Sequence, residues 1–249
     1  MLSLRDISIS FGGLKALTDV TFSIDDGINA LIGPNGAGKT TLFNVISGFL
    51  KPDNGTVVFN NKDITFREPY EIFSMGISRT FQNLNLIKDV TLRENLYLGV
   101  FEKEKPSFLK DILRLNKRLW EKVNKKIEDV MDLTNVSKWQ HLKPDSAPYG
   151  VLKNFELARA LISNPDLILL DEPAAGLNNA EKENLGLIID KIAGMGIRIL
   201  MVEHDMSFVS SLAKYVVCLN FGKVIAMGTY TEIRQNKEVI KAYLGDTDA

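Results

Sequence analysis

The chain has 249 residues, of which 45% are hydrophobic and 24% are charged, so it has the composition of a globular protein and enough length for a sizeable core. Its 30 basic and 31 acidic residues give a net charge of −1, which excludes the broad positive surface typical of nucleic-acid binding. The single cysteine, Cys218, excludes a disulfide framework, and its apolar neighbours predict a buried strand thiol. The N-terminus lacks a secretory pattern and no apolar run reaches membrane-spanning length, so we expect a cytoplasmic protein.

The first predicted elements are two strands. Apolar and polar residues alternate over residues 2–11 and 19–24, with Val20 and Phe22 on the same face and a pair of glycines between the two stretches. A period of two over this length predicts antiparallel strands with one solvent-exposed face.

A short apolar run, residues 28–32, leads directly into the sequence GPNGAGKTT. The pattern G-x-x-x-x-G-K-T is typical of a phosphate-binding loop, because glycines permit unusual backbone dihedrals and successive N–H groups surround phosphate oxygens. Apolar residues at helical spacing follow, and we predict a helix that includes Phe49 and is stopped by Pro52. Its N-terminus would add the helix dipole to anion binding.

This strand, loop and helix predict a nucleotide site. Lys39 is expected to lie across the β- and γ-phosphates, and the Thr40 hydroxyl is expected to bind Mg²⁺. The predicted nucleotide-binding residues of the loop are Gly33, Pro34, Asn35, Gly36, Ala37, Gly38, Lys39, Thr40 and Thr41.

The middle of the chain has a helical pattern. From Phe108 to Val130 apolar residues recur every three or four positions, and neither glycine nor proline interrupts residues 107–143. The charged positions are most simply a solvated outer face. A further helix is predicted over residues 155–162, and His141 is interpreted as structural.

Two acidic residues follow the next predicted strand. Four consecutive apolar residues, 167–170, predict a strand buried on both faces, and Asp171 and Glu172 come directly after it. Ligands of open parallel sheets bind at the carboxyl ends of strands. Asp171 is therefore a candidate Mg²⁺ ligand through a water, and Glu172 a candidate general base for the attacking water.

The last third of the chain predicts the remaining elements. After a predicted helix over residues 180–192, a second buried strand, residues 197–202, ends shortly before His204, which this position brings within reach of a γ-phosphate. We predict a hairpin from residues 215–219 and 224–227, and one helix over residues 231–244.

Taken together, these motifs resemble the nucleotide-binding subunit of an ATP-binding cassette (ABC) transporter over essentially the whole chain. The phosphate loop matches the family's Walker A motif, residues 167–172 match Walker B with the catalytic glutamate, and His204 matches the switch histidine. Gln82, in SRTFQN, matches the Q-loop glutamine, which in the family touches Mg²⁺ and the attacking water. Phe11 lies where the family stacks an aromatic ring on adenine, with burial in its strand as the alternative.

The resemblance implies an α/β fold: a P-loop NTPase core with a mostly parallel sheet, an antiparallel β subdomain and an inserted α-helical subdomain. It implies a single ATPase domain over residues 1–249, with about 1–82 and 162–249 in the core and about 83–161 in the helical subdomain. ATP and Mg²⁺ are the implied ligands. The implied partners are a second ABC ATPase subunit, transmembrane permease subunits and, indirectly, a substrate-binding protein, with the chain peripheral on the inner face of the cell membrane and with no nucleic acid.

Several phrases resemble the subunit type that serves branched-chain amino-acid import. They are FGGLKAL, ISGFL, GISRTFQN, EPAAGLN and VEHDM. The ATPase subunits of urea and lipopolysaccharide transporters share parts of these sequences, so urea and lipopolysaccharide are the alternative substrates.

One departure from the family pattern concerns its signature loop, LSGGQ, which closes over the γ-phosphate held by the partner cassette. The aligned residues here are APYGV, residues 147–151, of which only Gly150 matches. Pro148 offers neither the serine hydroxyl nor an N–H donor. We therefore expect this chain to bind ATP but to cap its partner's ATP poorly, which favours a heterodimer over a homodimer.

Three other functional classes are weighed against the transporter ATPase. Soluble cassettes of translation or DNA repair usually have two cassettes or a long coiled-coil insert, and neither is present in the sequence. A GTPase would carry an N-K-x-D motif, which is absent, and a small-molecule kinase fits the acid pair and histidine less well. A regulatory subunit that binds ATP with little turnover stays open because of Pro148.

Overall fold

The computed structural model describes residues 1–81, 86–101 and 117–244. The first six strands are β1 (Leu2–Phe11), β2 (Leu14–Ile24), β3 (Ile28–Ile32), β4 (Asn54–Phe59), β5 (Lys62–Asp63) and β6 (Ile77–Arg79). The next four are β7 (Leu167–Asp171), β8 (Arg198–Val202), β9 (Tyr215–Asn220) and β10 (Lys223–Gly228).

The helices lie between and after these strands. Those before β7 are α1 (Lys39–Ile46), α2 (Pro69–Ser74), α3 (Leu92–Phe101), α4 (Lys117–Leu133) and α5 (Tyr149–Leu161). Those after β7 are α6 (Asn179–Gly194), α7 (Met206–Leu212), α8 (Tyr230–Gln235) and α9 (Lys237–Leu244). No helix within the described ranges is long and apolar enough to cross a membrane.

The strands form two sheets. The smaller sheet is antiparallel, in the order β2-β1-β4-β5. The larger sheet has the order β10-β9-β3-β8-β7-β6, in which the strands from β9 to β6 are parallel and β10 is an antiparallel edge. The mostly parallel sheet, the antiparallel sheet and the helices inserted between β6 and β7 confirm the predicted fold class.

The larger sheet separates two hydrophobic cores. Alternate residues of its strands face opposite sides, so Ile168 and Leu170 of β7 belong to one core whereas Leu167 and Leu169 belong to the other. Helices α3 to α7 cover the first side, and α1 with the antiparallel sheet covers the second. Cys218 is fully buried in β9 as predicted, and burial raises the pKa of its thiol to about 11.

Several helix boundaries differ from the sequence predictions. Helix α5 begins at Tyr149, six residues before the predicted start of that helix at residue 155. Helix α1 ends at Ile46 and does not include Phe49, because Gly48 takes a left-handed conformation with φ of 80° that terminates the helix. The predicted C-terminal helix is two helices, α8 and α9, separated at Asn236. The extended backbone of Asn236 ends α8, and its side chain accepts a hydrogen bond from the Glu238 N–H at the start of α9.

Candidate functional site

The predicted phosphate loop connects β3 to α1 and has the backbone shape that its glycines allow. Gly33, Gly36 and Gly38 all have positive φ, of 150°, 78° and 102°. A Cβ at Gly33 would lie 2.2 Å from the Leu219 carbonyl oxygen, and one at Gly38 would lie 2.8 Å from that of Ala16. The loop is therefore held tightly between β9 and β2, and only glycine fits at these two positions.

The start of α1 leaves backbone donors directed at this loop. Gly38 is the N-cap and provides no side-chain hydrogen bond to the first turn, and the first N–H bonded within the helix is that of Leu42, to the Gly38 carbonyl. The N–H groups of the preceding helical residues lack helical acceptors by geometry. Together with the helix dipole, they can bind phosphate oxygens. Thr40 lies on this turn and is exposed, as a metal-binding hydroxyl must be.

Lys39 is buried and bends back onto its own loop. Its Nζ donates to the Gly33 carbonyl oxygen at 2.7 Å and to that of Pro34 at 2.9 Å. Burial lowers the pKa of the ammonium, and the carboxylates of Glu172 and Asp171 act in the opposite direction. The ammonium thus binds its own loop and lies close enough to the acid pair for the two carboxylates to favour its charged form.

Asp171 ends β7 beside Arg79, the last residue of β6. The two strands pair in parallel, and Arg79 Nη2 lies 3.0 Å from Asp171 Oδ2. The backbone N–H of Asp171 donates to Thr80 Oγ1 at 3.2 Å, so the connection between the strands continues past β6. Arg79 was not among the predicted site residues.

Glu172 and His204 follow neighbouring parallel strands and meet. Asp171 of β7 is opposite Val202 of β8, and the Glu172 N–H donates to the Val202 carbonyl oxygen at 3.0 Å. Glu172 has φ of 48°, an uncommon conformation for a non-glycine residue that turns the chain sharply at the end of the strand. Its Oε1 lies 3.1 Å from His204 Nε2. The structure therefore brings the predicted base and the predicted histidine into direct contact.

Two acidic neighbours of His204, Glu203 and Asp205, stabilise this edge of the sheet, and the sequence motifs did not indicate either of them. Glu203 is only 3% exposed, and its carboxylate accepts from the N–H groups of Ala174 at 2.7 Å and His204 at 2.9 Å. Asp205 caps α7 and lies 2.6 Å from Lys182 Nζ of α6. These contacts lower the pKa of Asp205 well below its usual range, chiefly through Lys182 and Ser207. Glu203 could have been predicted from the sequence, because an acidic residue directly after a buried apolar strand needs hydrogen-bond partners.

The remaining predicted residues fall in different places. Phe11 ends β1 at the β1–β2 turn and is 48% exposed, so burial in the strand does not account for it. Gln82 lies outside the described residues. The phenol of Tyr243, on α9, lies close to the Gly33 backbone, and burial raises its pKa to about 12. Tyr243 is a neighbour of the loop that no motif indicated.

The altered signature segment begins helix α5. Pro148 is the N-cap, with extended backbone and no side-chain hydrogen bond to the helix. The Tyr149 hydroxyl lies 3.4 Å from the Ala175 carbonyl oxygen, in the loop that follows Glu172.

Farther along α5, Lys153 Nζ and Glu156 Oε2 are both buried and lie 3.9 Å apart. Burial raises the pKa of Glu156 to about 7, against the opposing effects of Lys153 and Arg159.

Comparisons with known proteins agree with this geometry. Residues 17–175 match the family model described as ABC transporter. Residues 223–249 match the model described as branched-chain amino acid ATP-binding cassette transporter. The chain is similar to the high-affinity branched-chain amino acid transport ATP-binding protein BraF of Pseudomonas aeruginosa, with 34% identity over 99% of this chain and 98% of BraF.

Further relatives give the same result. The probable branched-chain amino acid transport ATP-binding protein LivG of Archaeoglobus fulgidus is 35% identical over 100% of this chain and 97% of that protein. Among solved structures, the ADP conformation of MJ1267, an ATP-binding cassette of an ABC transporter, aligns with a TM-score of 0.86 and 32% identity, covering 99% of each chain. This chain belongs to the ABC transporter family, as an ATP-binding cassette that hydrolyses ATP to drive transport.

Proposed function

We propose that the chain is the ATPase subunit of an importer for branched-chain amino acids. The assignment as an ATPase rests on the contact between Glu172 and His204. This contact lies beside a phosphate loop whose lysine, Lys39, is influenced by the carboxylates of Glu172 and Asp171. The substrate is supported by the branched-chain amino acid transport function of relatives that align over nearly their whole length and by the family match of the C-terminal residues 223–249.

The roles of the residues follow from their positions. The N–H groups at the start of α1 bind the phosphates, and Lys39 exchanges its two carbonyl acceptors for phosphate oxygens. Glu172 accepts a proton from the attacking water as general base. His204 holds the Glu172 carboxylate by the hydrogen bond between them and lies at the same edge as the γ-phosphate. The buried Glu203 carboxylate fixes both loops and so maintains this contact.

Mg²⁺ is part of this proposal because the donors at the site suit it. Thr40 supplies a hydroxyl and Asp171 a carboxylate at the end of β7, and hard oxygen donors are the ligands that Mg²⁺ prefers. Gln82 is proposed as a further ligand from the family pattern. When bound, the ion would neutralise phosphate charge. Phe11 is proposed to stack on the adenine, since its ring is exposed at the turn of the antiparallel sheet.

We further propose that the working assembly pairs this chain with a second, different cassette, on transmembrane permease subunits at the inner face of the cell membrane. A substrate-binding protein would deliver the solute to the permease. The support for a different cassette is Pro148, which supplies no side-chain donor at the start of α5. The partner's intact signature loop would then close over ATP held by Lys39, Asp171, Glu172 and His204. Residues 1–82 and 162–249 are proposed as the core, and residues 83–161 as the helical subdomain.

Steady-state ATP hydrolysis by the purified chain, alone and with each candidate partner cassette, tests this proposal. Activity that appears only with a partner, and that Glu172→Gln abolishes, is the expected result. Strong activity of the chain alone would contradict the weakened cap and favour a homodimer. Little turnover with every partner would favour the regulatory alternative, in which the chain binds ATP without hydrolysing it.

The substrate is tested separately in the reconstituted transporter. Branched-chain amino acids should stimulate hydrolysis through the binding protein, whereas urea and lipopolysaccharide should not. Stimulation by either alternative solute would overturn the substrate assignment without affecting the ATPase mechanism.

A further inference from the structure

Arg79 lies at the site but has no role in the proposed mechanism of ATP hydrolysis. It ends β6, and its side chain and that of Asp171 are among the most buried charges of the molecule, 7% and 9% exposed. Arg79 Nη2 donates to Asp171 Oδ2 at 3.0 Å. A buried carboxylate is stabilised by such a pair only if the geometry is well defined, so the other contacts of the guanidinium matter.

The guanidinium is held in place independently of Asp171. Its Nη1 donates to Asn44 Oδ1 at 2.7 Å and to Ser47 Oγ at 2.9 Å. Asn44 lies on α1, the helix that begins at the phosphate loop, and Ser47 is the C-cap of that helix. The ring centroids of Phe43 and Phe81 lie 5.6 Å and 5.1 Å from its central carbon. Two hydrogen bonds and two aromatic contacts thus fix the planar group before it reaches the carboxylate.

The consequence is a direct link between α1 and the end of β7. One side of the guanidinium binds the helix that presents Thr40, and the other side binds Asp171. The link therefore sets the distance and orientation between the two residues proposed to hold Mg²⁺. Partners that orient metal ligands in this way commonly change metal affinity about 10- to 100-fold when they are removed.

We propose that Arg79 is a positioning residue for the metal site: it binds Asp171 Oδ2 and fixes the orientation of this carboxylate relative to α1, so that the other oxygen, Oδ1, would be available to Mg²⁺. The inference rests on the proposed role of Asp171 as a metal ligand. A guanidinium is suited to this task because its fork bonds Asn44, Ser47 and Asp171 at once, whereas the compact ammonium of a lysine cannot reach all three.

The charge of Arg79 and its positioning role predict opposite effects of its removal on magnesium-dependent ATP binding. A positive group beside Asp171 repels Mg²⁺, so if only its charge mattered, removing it would strengthen metal-dependent binding. If Arg79 positions the carboxylate, removing it weakens that binding. A purely structural role would change nucleotide binding equally with and without the metal.

The experiment is calorimetric titration with ATP, in EDTA and in excess MgCl₂, of the full chain carrying Glu172→Gln to prevent hydrolysis. The measured quantity is the ratio of the two affinities, which we call the magnesium enhancement. Asp171→Asn should abolish most of it. Arg79→Met and Arg79→Lys should each reduce it about tenfold or more, with little change in the affinity measured in EDTA.

The control is Arg93→Met, which removes a guanidinium bonded to Gln140, Asn124 and Glu128 away from the loop and should leave the enhancement unchanged. If Arg79→Met does not fold, Asn44→Ala removes one anchor without a buried charge change, and it should reduce the enhancement by a smaller factor.

The outcomes separate the two proposals. If Asp171→Asn keeps the full enhancement, the metal assignment fails and the inference fails with it. If Asp171→Asn loses the enhancement but the Arg79 variants keep or exceed it, the inference alone is overturned. An enhancement that Arg79→Lys retains and Arg79→Met loses would also overturn it, because a point charge would then suffice. When Arg79→Met does not fold, an unchanged enhancement in Asn44→Ala overturns it.

Discussion

His204 Nε2 and Glu172 Oε1 lie 3.1 Å apart, so the side chains that follow two neighbouring parallel strands share one hydrogen bond. The contact depends on the left-handed turn at Glu172 and on the buried Glu203 carboxylate that binds the backbone on both sides. Because each residue orients the other, they act as a unit, and the effects of substituting them on the free energy of activation should not be additive.

We expect Glu172→Gln and His204→Ala each to lower kcat for ATP hydrolysis by about 10²- to 10⁴-fold, with ATP affinity nearly unchanged. The double variant should be little slower than the slower single variant, since the second substitution removes a partner that has already lost its function. Single-turnover kinetics with the partner cassette measure this. Multiplicative losses in the double variant would contradict a coupled pair.

Lys39→Met should lower ATP affinity at least tenfold, because charge-assisted hydrogen bonds to phosphate are lost. The free energy of unfolding without nucleotide should stay the same or rise, since burial disfavours the charged ammonium in the folded chain. Calorimetry and chemical denaturation measure the two effects. Lys51→Met, at a partly exposed lysine beyond the loop, is the control and should retain full affinity. A Lys39→Met chain that binds ATP normally would contradict the assignment.

Two glycines of the loop should respond differently to alanine. At Gly36 a Cβ meets no atom within 4 Å, so Gly36→Ala carries only the strain of φ 78°, about 1–2 kcal/mol. At Gly33 the Cβ would lie 2.2 Å from the Leu219 carbonyl oxygen, so Gly33→Ala must move β9 or the loop and should destabilise more. Denaturation of both variants compares them. Equal losses would show that backbone strain alone makes both positions glycine.

Stability should depend on pH through Glu156. The pKa of this carboxyl is raised from 4.5 to about 7 by burial, so the folded chain disfavours its ionised form. Below pH 4.5 the group is protonated in both states and has no effect. As the pH rises from about 4.5 to about 7, the unfolded state ionises first, and the free energy of unfolding falls by an amount on the order of 3 kcal/mol.

Glu156→Gln should remove this dependence, so the variant gains stability relative to the original chain between pH 5 and pH 8. Urea denaturation at a series of pH values measures the difference. Glu183→Gln, at an exposed glutamate on α6, should leave the profile unchanged. Parallel profiles for the original chain and Glu156→Gln would show that Lys153, at 3.9 Å, compensates the buried charge.

Local sequence was sufficient for the elements whose residues carry strong patterns. The apolar run of β7 and the acids after it predicted both the strand and the edge at which Asp171, Glu172 and His204 meet. Arg79 could not be found in this way, because its partners lie 32 to 92 residues away and only the strand pairing brings them together. Arg79 lies within the sequence SRTFQN, but in that motif only Gln82 had an expected role.

Two of the wrong helix boundaries, at the end of α1 and between α8 and α9, had local causes that the periodicity of apolar residues concealed. Phe49 continues the apolar spacing of α1, yet Gly48 ends the helix one residue earlier in the chain. Asn236 lies within a stretch of good helical spacing, although asparagine is a preferred cap. In both places a single residue with a preference for helix ends overrode the pattern of its neighbours.

The division of the molecule by its larger sheet has a practical consequence. Ile168 and Leu169 are adjacent in sequence and both fully buried, yet they belong to different cores. Interiors are close-packed, so a methylene removed from either residue is felt by its own core first. Ile168→Val and Leu169→Val are therefore two reporters one peptide bond apart: the first monitors the packing of the sheet against helices α3 to α7, and the second monitors its packing against α1 and the antiparallel sheet.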